Sequence, residues 1–115
     1  MTKHNPYYEP EKLGLTLFSL DEANMRWEFN TFCVWITPDK QLYTASDSGC
    51  SCPTPFENYE SATLDEFKQQ TERHPDVQSV MDAAISWNNS IYDFENRCNQ
   101  SELNRLESNI KEALN

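Results

Sequence analysis

The fold is decided by one extended run, which reads Met25-Arg26-Trp27-Glu28-Phe29-Asn30-Thr31-Phe32-Cys33-Val34-Trp35-Ile36-Thr37. In its first half apolar and polar residues alternate, which is typical of a strand with one buried face. Beyond Thr31 the apolar residues are continuous through Ile36. This change predicts either a bulge or bend near Asn30-Thr31, or a second half that is covered on both faces. In both cases the run forms the centre of a sheet.

Two shorter runs flank this central strand. Residues 15–20 suit a strand, and a turn follows at Asp21-Glu22-Ala23-Asn24. Pro38-Asp39-Lys40 closes a tight connection to a third strand at residues 41–46. We therefore predict a three-stranded antiparallel sheet over residues 15–46, preceded by an irregular arm, residues 1–14, that packs through Tyr7 or Tyr8.

The apolar period becomes helical after residue 63. Thr63-Leu64-Asp65-Glu66 matches a capping box, and the short helix that it starts is expected to end at His74-Pro75. A longer helix begins near Pro75 and Asp76, with apolar residues spaced by three and four at Val77, Val80, Ala84, Trp87, Ile91, Phe94 and Cys98. This stripe fits one helix face buried on the sheet; the alternative is a seam with a partner helix, which would give a dimer.

A last amphipathic helix restarts at Ser101 and carries Leu103, Leu106, Ile110 and Leu114. A length of 115 residues fits one domain with a modest core. The prediction is thus a single α+β domain, residues 15–115, in which two to three helices within residues 63–114 follow the three-stranded antiparallel sheet and pack on one face.

The charge of the chain restricts its partners. Nineteen acidic and nine basic side chains give a formal charge of −10, which repels nucleic acid and anionic membranes and favours basic protein surfaces. The N-terminus lacks the apolar run of a secretory signal, and no stretch has the length of a membrane span. We expect a cytosolic protein whose cysteines are thiols.

The segment after the third strand, which we call the cysteine loop (residues 47–60), begins Asp47-Ser48-Gly49-Cys50-Ser51-Cys52-Pro53-Thr54-Pro55-Phe56-Glu57. Gly49 permits a positive φ and the prolines fix φ nearby, which predicts a shaped loop. The favoured interpretation is that both cysteines pack in the interior while Asp47 and Ser48 hydrogen-bond the loop backbone.

Three chemical alternatives for these cysteines stay open. Cys50 and Cys52 could bind zinc with two ligands from Cys33, Cys98, His4 or His74, although structural zinc sites usually have two residues between paired cysteines. Thiol exchange is a second alternative, although Cys-x-Cys rings are strained. The third is nucleophilic catalysis, for which His74 or His4 is the available base.

The sequence from Leu42 to Glu57 resembles a family of small actinobacteriophage proteins of unknown function. The shared segment is Leu-Tyr-x-Ala-Ser-Asp-Ser-Gly-Cys-Ser-Cys-Pro-x-Pro-Phe-Glu, preceded by a tryptophan-bearing strand that here contains Val34-Trp35. The resemblance implies a viral origin and expression in the cytoplasm of a bacterial host. It implies no catalytic or metal-binding residue.

These features lead to a functional hypothesis: a small, non-enzymatic phage protein, without a cofactor, that binds a host or phage protein with a basic surface and inhibits a host defence or metabolic factor. The expected contact residues are Asp47, Ser48, Ser51, Thr54, Glu57, Glu60, Asp65, Glu66 and Asp93. A zinc or thiol protein using Cys50 and Cys52 is one alternative. An assembly protein that oligomerises through the helix at residues 77–98 is the other.

Overall fold

A four-stranded antiparallel sheet forms the middle of the molecule. The computed structural model describes residues 1–23, 27–50 and 54–115. The strands follow the order β1-β2-β3-β4, with bounds β1 (Thr16–Asp21), β2 (Glu28–Ile36), β3 (Leu42–Cys50) and β4 (Glu72–His74). Asn24, Met25 and Arg26, on which parts of the predicted turn and central strand fall, lie outside the described residues. The α+β class and the antiparallel sheet are confirmed.

Strand β2 is the central strand, and its second half is covered on both faces. Its pairing with β3 runs without interruption from Glu28 opposite Cys50 to Ile36 opposite Leu42, so the described strand contains no bulge near Thr31. Alternate side chains enter two separate cores: Phe32, Val34 and Ile36 on one face, Cys33 and Trp35 on the other. The continuous apolar run therefore reflects burial on both faces, the second of the two interpretations.

The sheet has four strands, and the prediction of three was wrong. Strand β4 pairs antiparallel with the start of β3, with His74 opposite Leu42 and Glu72 opposite Thr44. The His74 ring lies between hydroxyl groups, with Nε2 2.7 Å from Thr44 Oγ1 and Nδ1 2.7 Å from Ser79 Oγ. The three residues of β4, Glu72, Arg73 and His74, are all charged or polar, so their sequence lacks the apolar alternation that predicts a strand. The strand is recognised only by its pairing with β3.

The described residues contain three α-helices, one before β4 and two after it, and they divide between the two faces of the sheet. The helices are α1 (Leu64–Gln70), α2 (Val77–Asn89) and α3 (Gln100–Leu114). Helices α2 and α3 cover the side that we call the helix face, where Val80, Trp87 and Ile110 pack on Phe32 and Val34. Helix α1 contributes Phe67 to the opposite side, the loop face. The prediction that all helices pack on one face was therefore wrong for α1.

The helical stripe that starts at Val77 belongs to a shorter helix than the spacing suggests. Helix α2 ends at Asn89, because the Asn88 side chain bonds the backbone of Cys98 through both its amide atoms, at 2.8 and 3.0 Å. Arg97 donates to the carbonyls of Asn89 and Ile91 near the helix end. Ile91 and Cys98 are buried in the chain's own core without being helical, while Phe94 is 77% exposed.

The N-terminal arm is ordered and bound to the loop face. It contains a short 3₁₀ helix, Pro10–Leu13, and the Pro6 carbonyl accepts a hydrogen bond from Trp35 Nε1 at 2.9 Å. Tyr7 stacks on Phe56 with ring centroids 5.3 Å apart, whereas Tyr8 is 58% exposed. Apart from this short 3₁₀ helix the arm is in turns, an isolated bridge and irregular backbone, and it packs on the loop face through Tyr7.

Candidate functional site

The cysteine loop begins later than the sequence suggests. Strand β3 continues to Cys50, so Asp47 and Ser48 belong to the sheet, with Asp47 opposite Thr31 and Ser48 opposite Asn30. Alternate residues of a strand point to opposite faces. Since Tyr43 and Ala45 lie in the loop-face core, Asp47 points to that face and Ser48 to the helix face. Ser51, Cys52 and Pro53 lie outside the described residues.

Asp47 holds the far end of the loop against the sheet. Its Oδ2 accepts a hydrogen bond from the backbone N–H of Phe56 at 2.8 Å, and its Oδ1 accepts from the N–H of Ser48 at 3.0 Å. Asp47 therefore accepts hydrogen bonds from the loop backbone, as the sequence predicts. Burial and the nearby Asp47 charge together raise the pKa of Tyr59. Both oxygens of the Asp47 carboxylate therefore accept hydrogen bonds from the protein's own backbone.

Phe56 is the apolar anchor of the loop. Its side chain is fully buried, with its ring centroid 5.8 Å from that of Trp35 and 5.6 Å from that of Tyr59. Its φ of 62° is in the left-handed region, which is unfavourable for a bulky residue. The sequence pointed to Gly49 for a positive φ, but Gly49 lies within β3. A strained backbone at a fully buried ring indicates a loop fixed by its packing.

Two contacts from the N-terminal arm support the loop on either side of this anchor. Asn5 Nδ2 donates to the Pro55 carbonyl at 2.9 Å. His4 and Ser61 exchange backbone hydrogen bonds of 2.8 and 3.0 Å, and Ser61 is fully buried. Residues 54–61 are therefore fixed at Pro55, Phe56 and Ser61. We call the exposed carboxylates of Glu57 and Glu60, together with that of Asp65 in the first turn of α1, the acidic ridge.

The expected contact residues do not form one surface. Thr54 and the three residues of the acidic ridge are exposed, and within residues 1–23, 27–50 and 54–115 none of the three carboxylates forms an ion pair. Glu66, in contrast, is bonded to Lys3 at 3.0 Å. Asp93 lies on the α2–α3 connection, where it accepts from Glu95 N–H. Of the expected contact residues, Thr54 and the acidic ridge are thus the exposed ones between the end of β3 and the first turn of α1 in the described part of the chain.

The cysteines are separated in the structure. Cys33 is fully buried opposite Ala45, while Cys50 is exposed five residues further along β3, about 17 Å away at the usual rise of a strand. The interpretation that Cys50 packs in the interior was therefore wrong. Burial and the charges of Asp21 and Asp47 raise the pKa of the Cys33 thiol. Burial and Glu102 raise the pKa of Cys98 to about 11.

Metal-binding groups do not converge in the described part of the chain. No group of three His, Cys, Asp or Glu side chains there is placed to hold a metal ion. Of the four further ligands that the zinc hypothesis offered, Cys33, Cys98 and His74 are buried and His4 is partly buried. Cys52 itself is outside the described residues, so the pair at its centre remains a sequence-based hypothesis.

Sequence reasoning missed a group of exposed aromatic side chains. Trp27 is 79% exposed, Tyr92 fully exposed and Phe94 77% exposed. The alternating pattern placed Trp27 among the buried residues of the central strand, and the helical spacing placed Phe94 in the stripe of α2. No local signal distinguishes them from core residues. Their exposure follows from where β2 begins, at Glu28, and where α2 ends, at Asn89.

The fold and the anchored loop define a small α+β domain. Helices α2 and α3 cover one face of its antiparallel sheet, and the N-terminal arm, the cysteine loop and α1 cover the other. The chain belongs to the family described as a domain of unknown function, DUF7574, whose model matches residues 4–112. Comparison with curated proteins and with solved structures gives no match. None of the helices in the described ranges has the length and apolar character needed to cross a membrane.

Proposed function

We propose that this chain is a small, acidic, non-enzymatic protein of phage origin that binds a host or phage protein and inhibits a host defence or metabolic factor. The phage origin and action in the host cytoplasm rest on the resemblance of residues 42–57 to the actinobacteriophage family. The binding role rests on the acidic ridge. The proposed partner presents a basic surface.

The observation that supports binding most strongly is the fixed position of the ridge. Glu57 begins a 3₁₀ turn that follows directly on the buried Phe56, Glu60 caps the end of that turn, and both side chains are exposed. A surface that is already ordered loses little conformational entropy when it docks. Carboxylates held in this way present a constant charge pattern to a partner, which is how electrostatic complementarity gives specificity.

The charge of the whole chain supports a basic partner. A formal charge of −10 attracts a basic surface over distances up to about the Debye length, roughly 8 Å at physiological salt. Exposed charge pairs at an interface contribute mainly to the association rate and are screened by salt. The proposed complex should therefore form faster at low ionic strength.

A non-enzymatic role is supported by the separation of one predicted nucleophile, Cys50, from one predicted base, His74. Both ring nitrogens of His74 contact hydroxyl groups, and His74 pairs with Leu42, at the opposite end of β3 from Cys50. Eight residues of strand separate these positions, roughly 26 Å. His74 is therefore out of reach as a base for the Cys50 thiol.

The experiment is affinity purification from host cells with a matched pair of charge variants. Glu57→Lys with Glu60→Lys alters the ridge, and Asp82→Lys with Glu112→Lys alters exposed positions on α2 and α3. Each reversal adds two charges, so both double variants change the formal charge from −10 to −6. We expect a discrete partner with wild type and with the helix variant, and its loss with the ridge variant. Equal recovery by both variants would contradict the proposal.

A further inference from the structure

We infer that the free edge of β3 at Ser46 and Ser48 is a binding site for an extended peptide segment of another protein, which adds to the sheet as a strand beside β3. An apolar side chain of that segment enters the groove between β3 and α2, and a basic side chain lies near Glu72. This inference is independent of the proposed function, because it uses the sheet edge and the helix face rather than the acidic ridge.

The alternation of hydrogen-bonded and non-bonded pairs between β2 and β3 shows which backbone N–H and C=O groups of β3 point to the free edge. The Thr37 N–H donates to the Gln41 carbonyl at 3.0 Å, so these two residues form a hydrogen-bonded pair across the hairpin. Bonded and non-bonded pairs alternate in an antiparallel ladder. The backbone groups of odd-numbered β3 residues therefore point toward β2, and those of even-numbered residues point away from it, toward the sheet edge.

Strand β4 occupies only part of this edge. It pairs with Leu42, Tyr43 and Thr44 and ends there, since Glu72 is opposite Thr44. The next outward-facing residues are Ser46 and Ser48, both exposed. The Ser48 N–H is taken by Asp47 Oδ1. In the described part of the chain, the N–H and C=O of Ser46 and the C=O of Ser48 bond to no other backbone.

A groove lies beside this edge on the helix face. It has a volume of about 460 Å³, and its lining combines apolar Phe32, Ala83 and Trp87 with polar Ser46, Ser86 and Glu72. A strand added beyond β3 would place alternate side chains on the same face as Ser46 and Ser48, toward α2. Main-chain bonds to an edge and a pocket for alternate side chains are the two elements of recognition by strand addition.

Charge decides between the occupants of the edge. The Glu72 side chain is 74% exposed at the end of the groove, and the chain carries a formal charge of −10. A second copy of this chain would bring an equal negative charge to the same edge, which is unfavourable. A segment with a Lys or Arg near Glu72 and an apolar residue for the groove fits both features.

The test is a selection of random blocked peptides of about six residues, the usual length of a strand, on the full chain. An enriched peptide is then synthesised unmodified and in two N-methylated forms, one methylated at odd and one at even residues. Binding is measured by fluorescence anisotropy at physiological salt. The protein variants are Ser46→Pro, which removes the outward N–H at a sheet edge, and Ser46→Ala, which keeps it.

We expect peptides with alternating apolar residues and at least one Lys or Arg. One N-methylated form should bind at least about tenfold more weakly and the other within about threefold, because only one set of peptide N–H groups faces β3. Ser46→Pro should weaken binding by about tenfold and Ser46→Ala should not. Glu57→Lys with Glu60→Lys should leave peptide binding unchanged.

Three results would overturn the inference. The first is that no peptide is enriched. The second is that both N-methylated forms bind like the unmodified peptide. This comparison uses wild-type protein, so it does not depend on whether Ser46→Pro folds. The third is a dimer by light scattering that Ser46→Pro converts to a monomer, since a second copy would then occupy the edge.

Discussion

The backbone N–H of Phe56 donates to Asp47 Oδ2 at 2.8 Å, across a loop that begins at the end of β3. Phe56 is fully buried and Asp47 partly so, so this bond is partly shielded from water and fixes the loop to the sheet. Two exposed carboxylates of the acidic ridge, Glu57 and Glu60, lie within four residues of this anchor. The proposed binding surface therefore depends on an internal contact, which can be tested separately from any partner.

Removal of the Asp47 carboxylate should destabilise the protein. In Asp47→Ala the buried N–H of Phe56 loses its acceptor, which costs about 1–3 kcal/mol. Ser48→Ala, at the exposed neighbouring position, should change the free energy of unfolding by less than about 0.5 kcal/mol. Urea denaturation of the two variants measures the difference, and equal stability of Asp47→Ala and wild type would show that the carboxylate does not hold the loop.

Truncation of the aromatic anchor should have a larger effect. Phe56→Ala leaves a cavity between Trp35 and Tyr7, and such changes usually cost about 3–5 kcal/mol. The control is Phe94→Ala, where the ring is mostly exposed and loses only its contact with the Arg97 guanidinium, worth about 0.5–1 kcal/mol. Thermal and urea unfolding would rank the two variants. Similar losses for both would contradict the assignment of Phe56 as the anchor.

The thiols should differ in reactivity. A raised pKa keeps a thiol protonated at higher pH, and the thiolate is the reactive form. Cys33 and Cys98 should therefore resist iodoacetamide at pH 8, and Cys98 should react in the folded state only as the pH approaches its pKa of about 11. The exposed Cys50 should react before both of them. Peptide mapping by mass spectrometry assigns each site, and rapid labelling of Cys33 in folded protein would contradict its burial.

Asn88 should be much more sensitive to substitution than its neighbour. It bonds both the N–H and the carbonyl of Cys98, and it is buried. Asn88→Ala should cost at least about 2 kcal/mol, because two buried backbone groups lose their partners. The exposed Asn89 is the matched control, and Asn89→Ala should be nearly neutral. Comparable unfolding midpoints for the two variants would show that the Asn88 contact does not define the end of α2.

Much of the fold could be predicted from local sequence. The apolar run of β2, the tight connection after Ile36 and the start of α2 at Asp76 all depend on neighbouring residues. Asp76 caps α2 by accepting from Ser79 N–H, and Thr63 caps α1 by accepting from Glu66 N–H. These features have a periodicity or a capping residue that is visible within a few positions.

The remaining features depend on residues that are distant in sequence. Strand β4 forms because His74 reaches Thr44 and Ser79, and α2 ends because Asn88 reaches Cys98. Asp47 was predicted to hydrogen-bond the loop backbone, but neither its partner, the Phe56 N–H nine residues away, nor the positive φ of Phe56 was identified. A pattern within one element cannot reveal such contacts, since the same residues are typical of solvated loops.

Amide hydrogen exchange at Phe56 tests the central claim most directly. If Asp47 and the aromatic cluster fix the loop, the Phe56 N–H should exchange as slowly as the amides of β2 in wild type and much faster in Asp47→Ala, while the β2 amides stay protected. Exchange of the Phe56 N–H at the rate of an unprotected amide in the wild-type protein would contradict the account.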